Sequence, residues 1–199
     1  TMTDLYELKA AVLAARESCH LPVLATAAFG ENGRLLTGGD AAALVSLLEA
    51  LGVDALGLNC GAGPLQLSAP VRQLVHLSSV PVIFKPNAGL PHTAEDGSVR
   101  YDIDADTFAA AAEAAQEGVA VVGGCCGTTP EHIAKLHAAC AGLSPVPPFS
   151  KQTIYLSSGA QAVDARALDL ASLAPIAVPD SLDDLLDEVF DRQDEEVPV

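Results

Sequence analysis

Three cysteines stand at places in the sequence where their thiols could share one metal ion. Cys60 closes a short apolar run at residues 54–59, and the pair Cys125 and Cys126 follows a second apolar run at residues 119–122. Runs of this length are typical of buried parallel strands, whose carboxyl ends meet at one edge of an α/β sheet. The pattern therefore predicts a sulfur-rich site of the kind that zinc prefers.

A simpler interpretation is three buried structural thiols, because free cysteine is among the most buried residue types. A closed zinc site would need a fourth protein ligand, and Cys19 and Cys140 are poorly placed for this because both fall in predicted helices. An open fourth position is typical of a catalytic zinc site. A disulfide between the adjacent Cys125 and Cys126 would be strained, so the sequence predicts reduced or metal-binding thiols.

The two cysteine motifs carry a resemblance to a known family. The segments LNCGAGP at residues 58–64 and GGCCGT at residues 123–128 resemble the two zinc-binding motifs of the homocysteine S-methyltransferase domain. The segment KPNAGLP at residues 85–91 and the start at residues 1–7 are most similar to the homocysteine module of the cobalamin-dependent methionine synthase branch. The resemblance covers residues 1–142.

This resemblance implies zinc held by Cys60, Cys125 and Cys126, with homocysteine as the substrate. The substrate sulfur would become the fourth ligand and lose its proton, because a coordinating thiol is deprotonated. Four thiolates around one Zn²⁺ leave a double negative charge, so the substrate sulfur stays nucleophilic and accepts a methyl group to give methionine. The branch favours methylcobalamin and methyltetrahydrofolate as donors, with cobalamin on a separate module. S-methylmethionine and betaine are the alternative donors.

Three further residues are predicted to serve the site. Asn87 follows a predicted strand and lies level with the cysteines, where it either fills the open coordination position, binds the amino acid end of the substrate, or forms a turn. Asn59 is predicted to orient the sulfur of Cys60 through a hydrogen bond. Thr26 is predicted to line the substrate pocket or to pack in the core. The five histidines, among them His132, are predicted to lie on the surface.

The elements that position these residues follow a regular order. Predicted strands begin near residues 22, 54, 80 and 119, and predicted helices occupy residues 3–19, 40–51, 64–77, 104–117 and the segment from 130. This spacing is typical of parallel strand–helix units. We predict an α/β fold that comprises strands five to eight of a (β/α)₈ TIM-type barrel, a half-barrel fragment. A flavodoxin-like open sheet is the alternative, because four strands alone cannot close.

The half-barrel interpretation has a functional consequence. The resemblance implies that residues on strands one to four also hold homocysteine, so the expected partner is the missing N-terminal half-barrel, together with a methyl-donor module or a small-molecule donor. A non-catalytic zinc-binding fragment, which needs that complementary half, is the alternative function.

Composition separates the end of the chain from the rest. Residues 1–142 form the predicted barrel part, and residues 143–199 form a proline-rich linker and an acidic helical extension, with a short strand at residues 154–156 and a helix at residues 180–193. The net charge of −16 over 199 residues argues against nucleic acid or an anionic membrane as a partner. No apolar run has the length of a membrane span, and we predict a cytoplasmic protein.

Overall fold

The structure of the chain is a computed structural model that describes residues 1–144, 146–148, 155–158 and 161–168. Its helices are α1 (Leu5–Ser18), α2 (Ala41–Ala50), α3 (Ser68–Leu77), α4 (Ala105–Phe108), α5 (Glu113–Gln116) and α6 (Pro130–Cys140). Its strands are β1 (Leu24–Ala27), β2 (Ala55–Asn59), β3 (Val82–Lys85), β4 (His92–Thr93), β5 (Val99–Arg100), β6 (Val119–Val122), β7 (Tyr155–Ser157) and β8 (Ala162–Asp164). Short 3₁₀ turns occupy Ala109–Ala112 and Ala165–Ala167.

The main sheet has four strands in the order β1-β2-β3-β6, and every neighbouring pair is parallel. Each strand therefore lies beside the next main strand along the chain, and the order contains no reversal within the described residues. A reversal marks the switch point of doubly wound open sheets such as flavodoxin. The predicted α/β fold with a parallel sheet is confirmed, and its order is that of consecutive barrel strands.

Helices cover one face of this sheet. Ala27, Leu58 and Phe84 lie in register across neighbouring strands, and each is at most 1% exposed within the hydrophobic core. Because side chains alternate along a strand, the residues directly before and after each of these three point to the opposite face of the sheet. That face is partly uncovered, since Leu24 on β1 is 58% exposed and Val121 on β6 is 44% exposed.

Local sequence signals explain where the helices begin. Asp40 caps α2, with its carboxylate accepting the backbone N–H of Ala43 at 2.9 Å, and Asp104 caps α4 by accepting the N–H of Thr107 at 2.7 Å. These short acidic side chains satisfy backbone donors that the first helical turn leaves unpaired. Both caps agree with the starts of the helices predicted at residues 40–51 and 104–117.

Two predicted helices differ from those observed. Helix α3 begins at Ser68 and not at residue 64, because the N–H of Ser68 bonds to Leu65 three residues back, in a turn that precedes the regular helix. The helix predicted at residues 104–117 is interrupted by the 3₁₀ turn at Ala109–Ala112. The segment between β3 and α4 contains the antiparallel pair β4 and β5.

The antiparallel pair β7 and β8 follows α6 and packs against α2. The hydroxyl of Tyr6 in α1 donates a hydrogen bond to the carbonyl of Ser158 beside this pair at 3.0 Å. The short strand predicted near residue 155 is therefore observed as β7, one residue further along the chain.

Contacts divide the chain into two compact units, Thr1–Ala167 and Leu168–Val199. The β7–β8 pair belongs to the first unit, and the domain division predicted at residue 143 stays a prediction. The predicted acidic helix at residues 180–193 lies outside the described residues. Within the part of the chain that the structure describes, no helix is long and apolar enough to cross a membrane. The cytoplasmic location stays a prediction.

Candidate metal centre

The three predicted cysteines come together at the carboxyl end of the sheet. The Sγ atoms of Cys60, Cys125 and Cys126 all lie within 4.8 Å of one another, and that of Cys126 is 3.8 Å from each of the other two. A tetrahedral zinc ion with Zn–S bonds of about 2.3 Å places its sulfur ligands about 3.8 Å apart. The donor set therefore fits zinc in both chemistry and spacing.

Hydrogen bonds to the end of β3 and to the segment after it place both cysteine segments. The N–H of Cys60 bonds to the carbonyl of Lys85 at 3.0 Å, and that of Cys125 bonds to the carbonyl of Pro86 at 2.9 Å. The carbonyl of Cys126 in turn accepts the N–H of Ala88 at 2.9 Å. Pairing between neighbouring strands thus continues past the ends of the strands, and it brings residues from β2 and β6 to one point.

The backbone at Cys60 adopts an uncommon conformation. Its φ angle is 71°, and it is the only residue other than glycine with a positive φ in the described part of the chain. Such left-handed conformations cost about 1–3 kcal/mol and concentrate at functional sites. The next residue, Gly61, has a φ of 87°, and a side chain there would overlap the carbonyl of Phe29. The turn that presents the Cys60 sulfur therefore requires glycine after it.

Asn87 joins the two cysteine segments. Its amide Nδ2 donates to the carbonyl of Gly61 at 2.9 Å, and its Oδ1 accepts the N–H of Cys126 at 3.1 Å. The residue is only 3% exposed. Asn87 also lines a cavity that borders Cys60 and Cys126. The structure thus gives Asn87 a bridging position that the sequence does not indicate, and its roles toward metal and substrate stay predictions.

Asn59 lies beside the sulfurs but contacts a different one from the one predicted. Its Nδ2 donates to the Sγ of Cys125 at 3.6 Å, whereas the prediction assigned it to Cys60. The reason is geometric: the side chain of Asn59 lies on the opposite side of the strand from that of its neighbour, where the segment after β6 passes.

Thr26 lies away from the cysteines. Its hydroxyl is hydrogen-bonded to that of Thr1 at 2.7 Å, and its side chain is buried on the sheet face opposite the helices. It does not border the cavity at the metal site, whereas Phe29, which follows the same strand, does. A role of Thr26 in substrate binding stays a prediction.

A cavity of about 480 Å³ opens beside the sulfurs of Cys60 and Cys126. Its wall is mostly apolar and includes Phe29 and Leu36, and Arg34 adds a charged group. A second cavity of about 420 Å³ lies between α3 and the segment before α2, but no cysteine borders it. The first cavity is therefore the one that a substrate of the metal site would enter.

Tyr101 also borders this cavity. Its ring lies against Gly127, where a side chain would overlap the ring atoms. Burial raises the pKa of the Tyr101 hydroxyl, and the sulfur of Cys126 raises it further. No local sequence signal identifies this residue, because it lies in the segment between β5 and α4, far along the chain from either cysteine motif.

His132 is not the outward-facing residue that the sequence predicts. Its Nδ1 accepts the hydroxyl of Thr129 at 2.9 Å and the backbone N–H of Thr129 at 3.3 Å, which completes the cap of α6. Its Nε2 therefore carries the proton and donates to the carbonyl of Ile103 at 2.9 Å. The ring also packs edge-on against Phe108, with centroids 5.5 Å apart. The other four histidines are exposed, as predicted.

The thiols of the metal site differ in acidity. Burial raises the pKa of Cys125 to about 11, and its neighbours Cys126 and Cys60 add to the rise. Burial also acts to raise the pKa of Cys60, but hydrogen bonds from the backbone N–H of Gly61 and from the side chains of Cys126 and Asn87 outweigh it, so this pKa lies below its usual value. In the metal-free protein Cys60 therefore ionises before Cys125.

Comparison with known proteins agrees with this geometry. A family model described as homocysteine S-methyltransferase matches residues 1–140, which include every residue of the cysteine site. The chain belongs to the homocysteine S-methyltransferase family. The resemblance predicted from the two cysteine motifs is confirmed.

Two methionine synthases are similar in sequence to this chain. The chain is 41% identical over 150 residues to the methionine synthase of Mycobacterium tuberculosis (strain ATCC 25618 / H37Rv), and 40% identical over 148 residues to that of Mycobacterium leprae (strain TN). These matches cover 72% and 71% of this chain, but they cover 12% of each methionine synthase. The chain thus corresponds to a small part of these relatives.

A solved structure is also similar. It is the crystal structure of the homocysteine methyltransferase MmuM from Escherichia coli in its oxidized form, with a TM-score of 0.51 and 25% sequence identity. The match covers 67% of this chain and 41% of that chain.

Proposed function

We propose that this chain holds zinc through Cys60, Cys125 and Cys126 and takes part in the transfer of a methyl group to the thiol of homocysteine, which gives methionine. The observation that carries the proposal is the triangle of sulfurs at zinc-ligand spacing beside an open cavity. Membership of the homocysteine S-methyltransferase family supplies the substrate and the reaction type.

Zinc bound at this site would keep the substrate thiol deprotonated at neutral pH without removing its electron density, because three thiolates already neutralise the ion. The residues of the chain do the positioning. Asn87 fixes the two cysteine segments to each other, and the amide of Asn59 donates to Cys125. The largely apolar cavity admits the substrate sulfur from one side and limits the access of water to it.

For the methyl donor we propose methylcobalamin, recharged with methyltetrahydrofolate and carried on a separate module. The support is that the relatives at about 40% identity are both methionine synthases, and that this chain matches 12% of each of them. S-methylmethionine and betaine stay alternative donors. The reason is that the similar solved structure is named a homocysteine methyltransferase and not a methionine synthase.

We also propose that the sheet is the half of a (β/α)₈ barrel formed by strands five to eight, and that a complementary half-barrel is its partner. The sequential parallel order supports this. Met2 adds a parallel bridge to Ala27 at the free edge of β1, as the end of a preceding barrel strand would. The exposed side chains of Leu24 and Val121 lie on the face that a closed barrel would enclose.

A non-catalytic zinc-binding fragment is the second candidate function. The partly uncovered inner face favours it, because a barrel enzyme draws its substrate contacts from many strands around its mouth. Under this alternative the chain binds zinc alone but does not turn over until the complementary half is present.

The first experiment tests the metal site. Metal analysis of the purified wild-type chain is expected to find one zinc ion per chain, and the Cys125→Ser, Cys126→Ser double variant is expected to lose it. Cys19→Ser is the matched control, because Cys19 is exposed and lies outside the triangle of sulfurs. Full zinc retention in the double variant would contradict the proposal.

The second experiment separates the two candidate functions. Methionine formation is measured with methylcobalamin, S-methylmethionine and betaine in turn, with and without strands one to four of a homologous barrel supplied in trans. We expect little turnover by the chain alone and a clear gain on complementation, because misplacing a reacting group by about 1 Å can cost about a hundredfold in rate. Zinc binding without turnover in either condition would favour the non-catalytic alternative.

A further inference from the structure

A closed ring of hydrogen bonds surrounds the turn that follows the cysteine pair. The carbonyl of Cys126 accepts the N–H of Ala88 at 2.9 Å, and the carbonyl of Ala88 accepts the N–H of Ile103 at 3.1 Å. The carbonyl of Ile103 accepts the Nε2–H of His132 at 2.9 Å, and the Nδ1 of the same imidazole accepts the N–H of Thr129 at 3.3 Å. Thr129 follows Cys126 by three residues, so the chain itself closes the ring.

The imidazole of His132 is the side-chain link in this ring, and the other members contribute backbone groups. One nitrogen accepts and the other donates, so the ring of bonds needs a neutral imidazole with its proton on Nε2. The imidazole also packs edge-on against the buried ring of Phe108, with centroids 5.5 Å apart. His132 is therefore held in one orientation, in which it joins α6 to the segment before α4.

The hydrogen-bond ring and the packing fix the same turn from two sides. Tyr101 lies two residues before Ile103, and its side chain rests on Gly127, inside the turn between Cys126 and Thr129. The anchor that His132 provides at Ile103 therefore also holds the aromatic ring that packs on this turn.

The position of Cys126 decides whether the three sulfurs fit one metal ion. Its Sγ is 3.8 Å from each of the other two, and Zn–S bonds of about 2.3 Å tolerate deviations of about 0.2 Å. The N–H of Cys126 donates to Asn87 at 3.1 Å, while its carbonyl accepts the N–H of Ala88. The peptide groups on both sides of Cys126 are thus fixed, and the carbonyl side belongs to the ring that His132 completes.

We propose that His132 is a positioning residue of the metal site. By binding Ile103 and Thr129 at once, it fixes the turn that carries Cys126 and keeps the Cys126 sulfur at zinc-ligand spacing. The inference rests on the proposed function and extends the metal site to a residue outside both cysteine motifs. The role needs both nitrogens of the imidazole, because the bond to Thr129 alone would only cap α6.

Three substitutions at His132 separate the two hydrogen bonds. In His132→Gln the amide oxygen accepts the N–H of Thr129, as in a capping box, and the amide nitrogen donates to Ile103. In His132→Glu the ionised carboxylate keeps the cap but has no proton to donate to Ile103. His132→Leu removes both bonds and keeps an apolar contact with Phe108.

Two variants of α6 serve as matched controls. Lys135→Gln removes an ion pair between Lys135 and Asp106, at 2.6 Å, which joins α6 to α4 at an exposed position outside the ring of bonds. His137→Glu adds a carboxylate to an exposed position of the same helix. These controls separate the ring from the general attachment of α6 and from the added charge.

Competition with a chelating dye gives the zinc dissociation constant of each full-length variant. We expect this constant to rise at least about tenfold in His132→Glu and His132→Leu, because residues that orient metal ligands contribute about 10–100-fold to metal affinity. His132→Gln and the two controls should stay within about threefold of the wild type. Hydrogen exchange of the metal-free chain should show faster exchange at the Ile103 N–H in the Glu and Leu variants only.

Wild-type zinc affinity in His132→Glu would overturn this inference alone, since it would show that the cap of α6 suffices. A loss in His132→Gln as large as that in His132→Leu would also overturn it, because the two bonds would then not account for the effect. His132→Glu keeps the cap, so it decides the question even if His132→Leu fails to fold. A wild-type chain that binds no zinc would overturn the proposed function as well.

Discussion

Replacement of Asn87 by alanine tests how the cysteine site is built. Asn87 is nearly buried, and its amide bridges the carbonyl of Gly61 and the N–H of Cys126 at 2.9 and 3.1 Å. The substitution deletes both hydrogen bonds and leaves two backbone groups unpaired. It also removes a buried side chain that is hydrogen-bonded to the backbone of both cysteine segments.

The size of the effect follows from these two bonds. A hydrogen bond contributes about 1 kcal/mol net, and an unpaired buried partner costs about 1–3 kcal/mol. Partial access of water to the cavity side moderates this cost, so we expect Asn87→Ala to lower the free energy of unfolding by about 2–4 kcal/mol. Because residues that orient metal ligands contribute about 10–100-fold to metal affinity, the zinc dissociation constant should rise by at least about tenfold.

Urea unfolding in the presence of a chelator measures the first effect, and competition with a chelating dye measures the second. Asn32→Ala is the control, because the Oδ1 of Asn32 accepts one hydrogen bond, from the N–H of Arg34 at 3.1 Å, in an exposed turn. That variant should lose at most about 0.5 kcal/mol.

The two measurements distinguish the bridging role from the predicted role as a metal ligand. If Asn87 only filled the open coordination position, its loss would lower zinc affinity and leave the metal-free stability within about 0.5 kcal/mol of the wild type. That outcome would refute the reasoning from the two hydrogen bonds. A loss in both measurements would support the bridge.

Two further predictions follow from the same site. Gly127→Ala should lower the free energy of unfolding by about 1–3 kcal/mol more than Gly97→Ala, as measured by urea unfolding. Both glycines have a φ of 79°, but only at Gly127 would the new side chain meet the ring of Tyr101. Equal losses in the two variants would contradict this prediction. The pKa of Cys125 is raised to about 11, whereas an unfolded thiol ionises near about 8.5. The contribution of Cys125 to metal-free stability should therefore be full below about pH 8.5 and fall as the pH rises toward 11, since the unfolded chain releases this proton first. Urea unfolding at several pH values should show this fall in the wild type and less of it in Cys125→Ser, and a stability that rises over this range would contradict the assignment.

The parts of the fold that could be predicted from the sequence are those with local signals. Apolar runs at residues 54–59 and 119–122 predicted β2 and β6, and the helices predicted from residues 40 and 104 start beside their observed caps, Asp40 and Asp104. The convergence of the cysteines followed from the same logic, since parallel strands end at one edge. Helix α3 was placed too early because a proline and an apolar pattern also fit the turn that precedes Ser68.

The contacts around the cysteines could not be predicted in the same way, because they depend on how loops from different strands pass one another. Asn59 donates to Cys125 across the sheet and not to its own neighbour in sequence. His132 looked like an exposed helix residue because the pattern of α6 places it in the first turn, but the segment before α4 passes there and supplies the carbonyl of Ile103 as its acceptor.

The same packing explains why the metal site is coupled to a segment that carries no motif. His132 caps α6, which starts four residues after Cys126, and it holds Ile103 in the segment whose Tyr101 ring lies against Gly127. A change at His132 would therefore reach the sulfurs along two routes, through the start of α6 and through the tyrosine. The two cysteine motifs alone do not contain this second route, so the β5–α4 segment packs against the cysteine site although no sequence motif marks it.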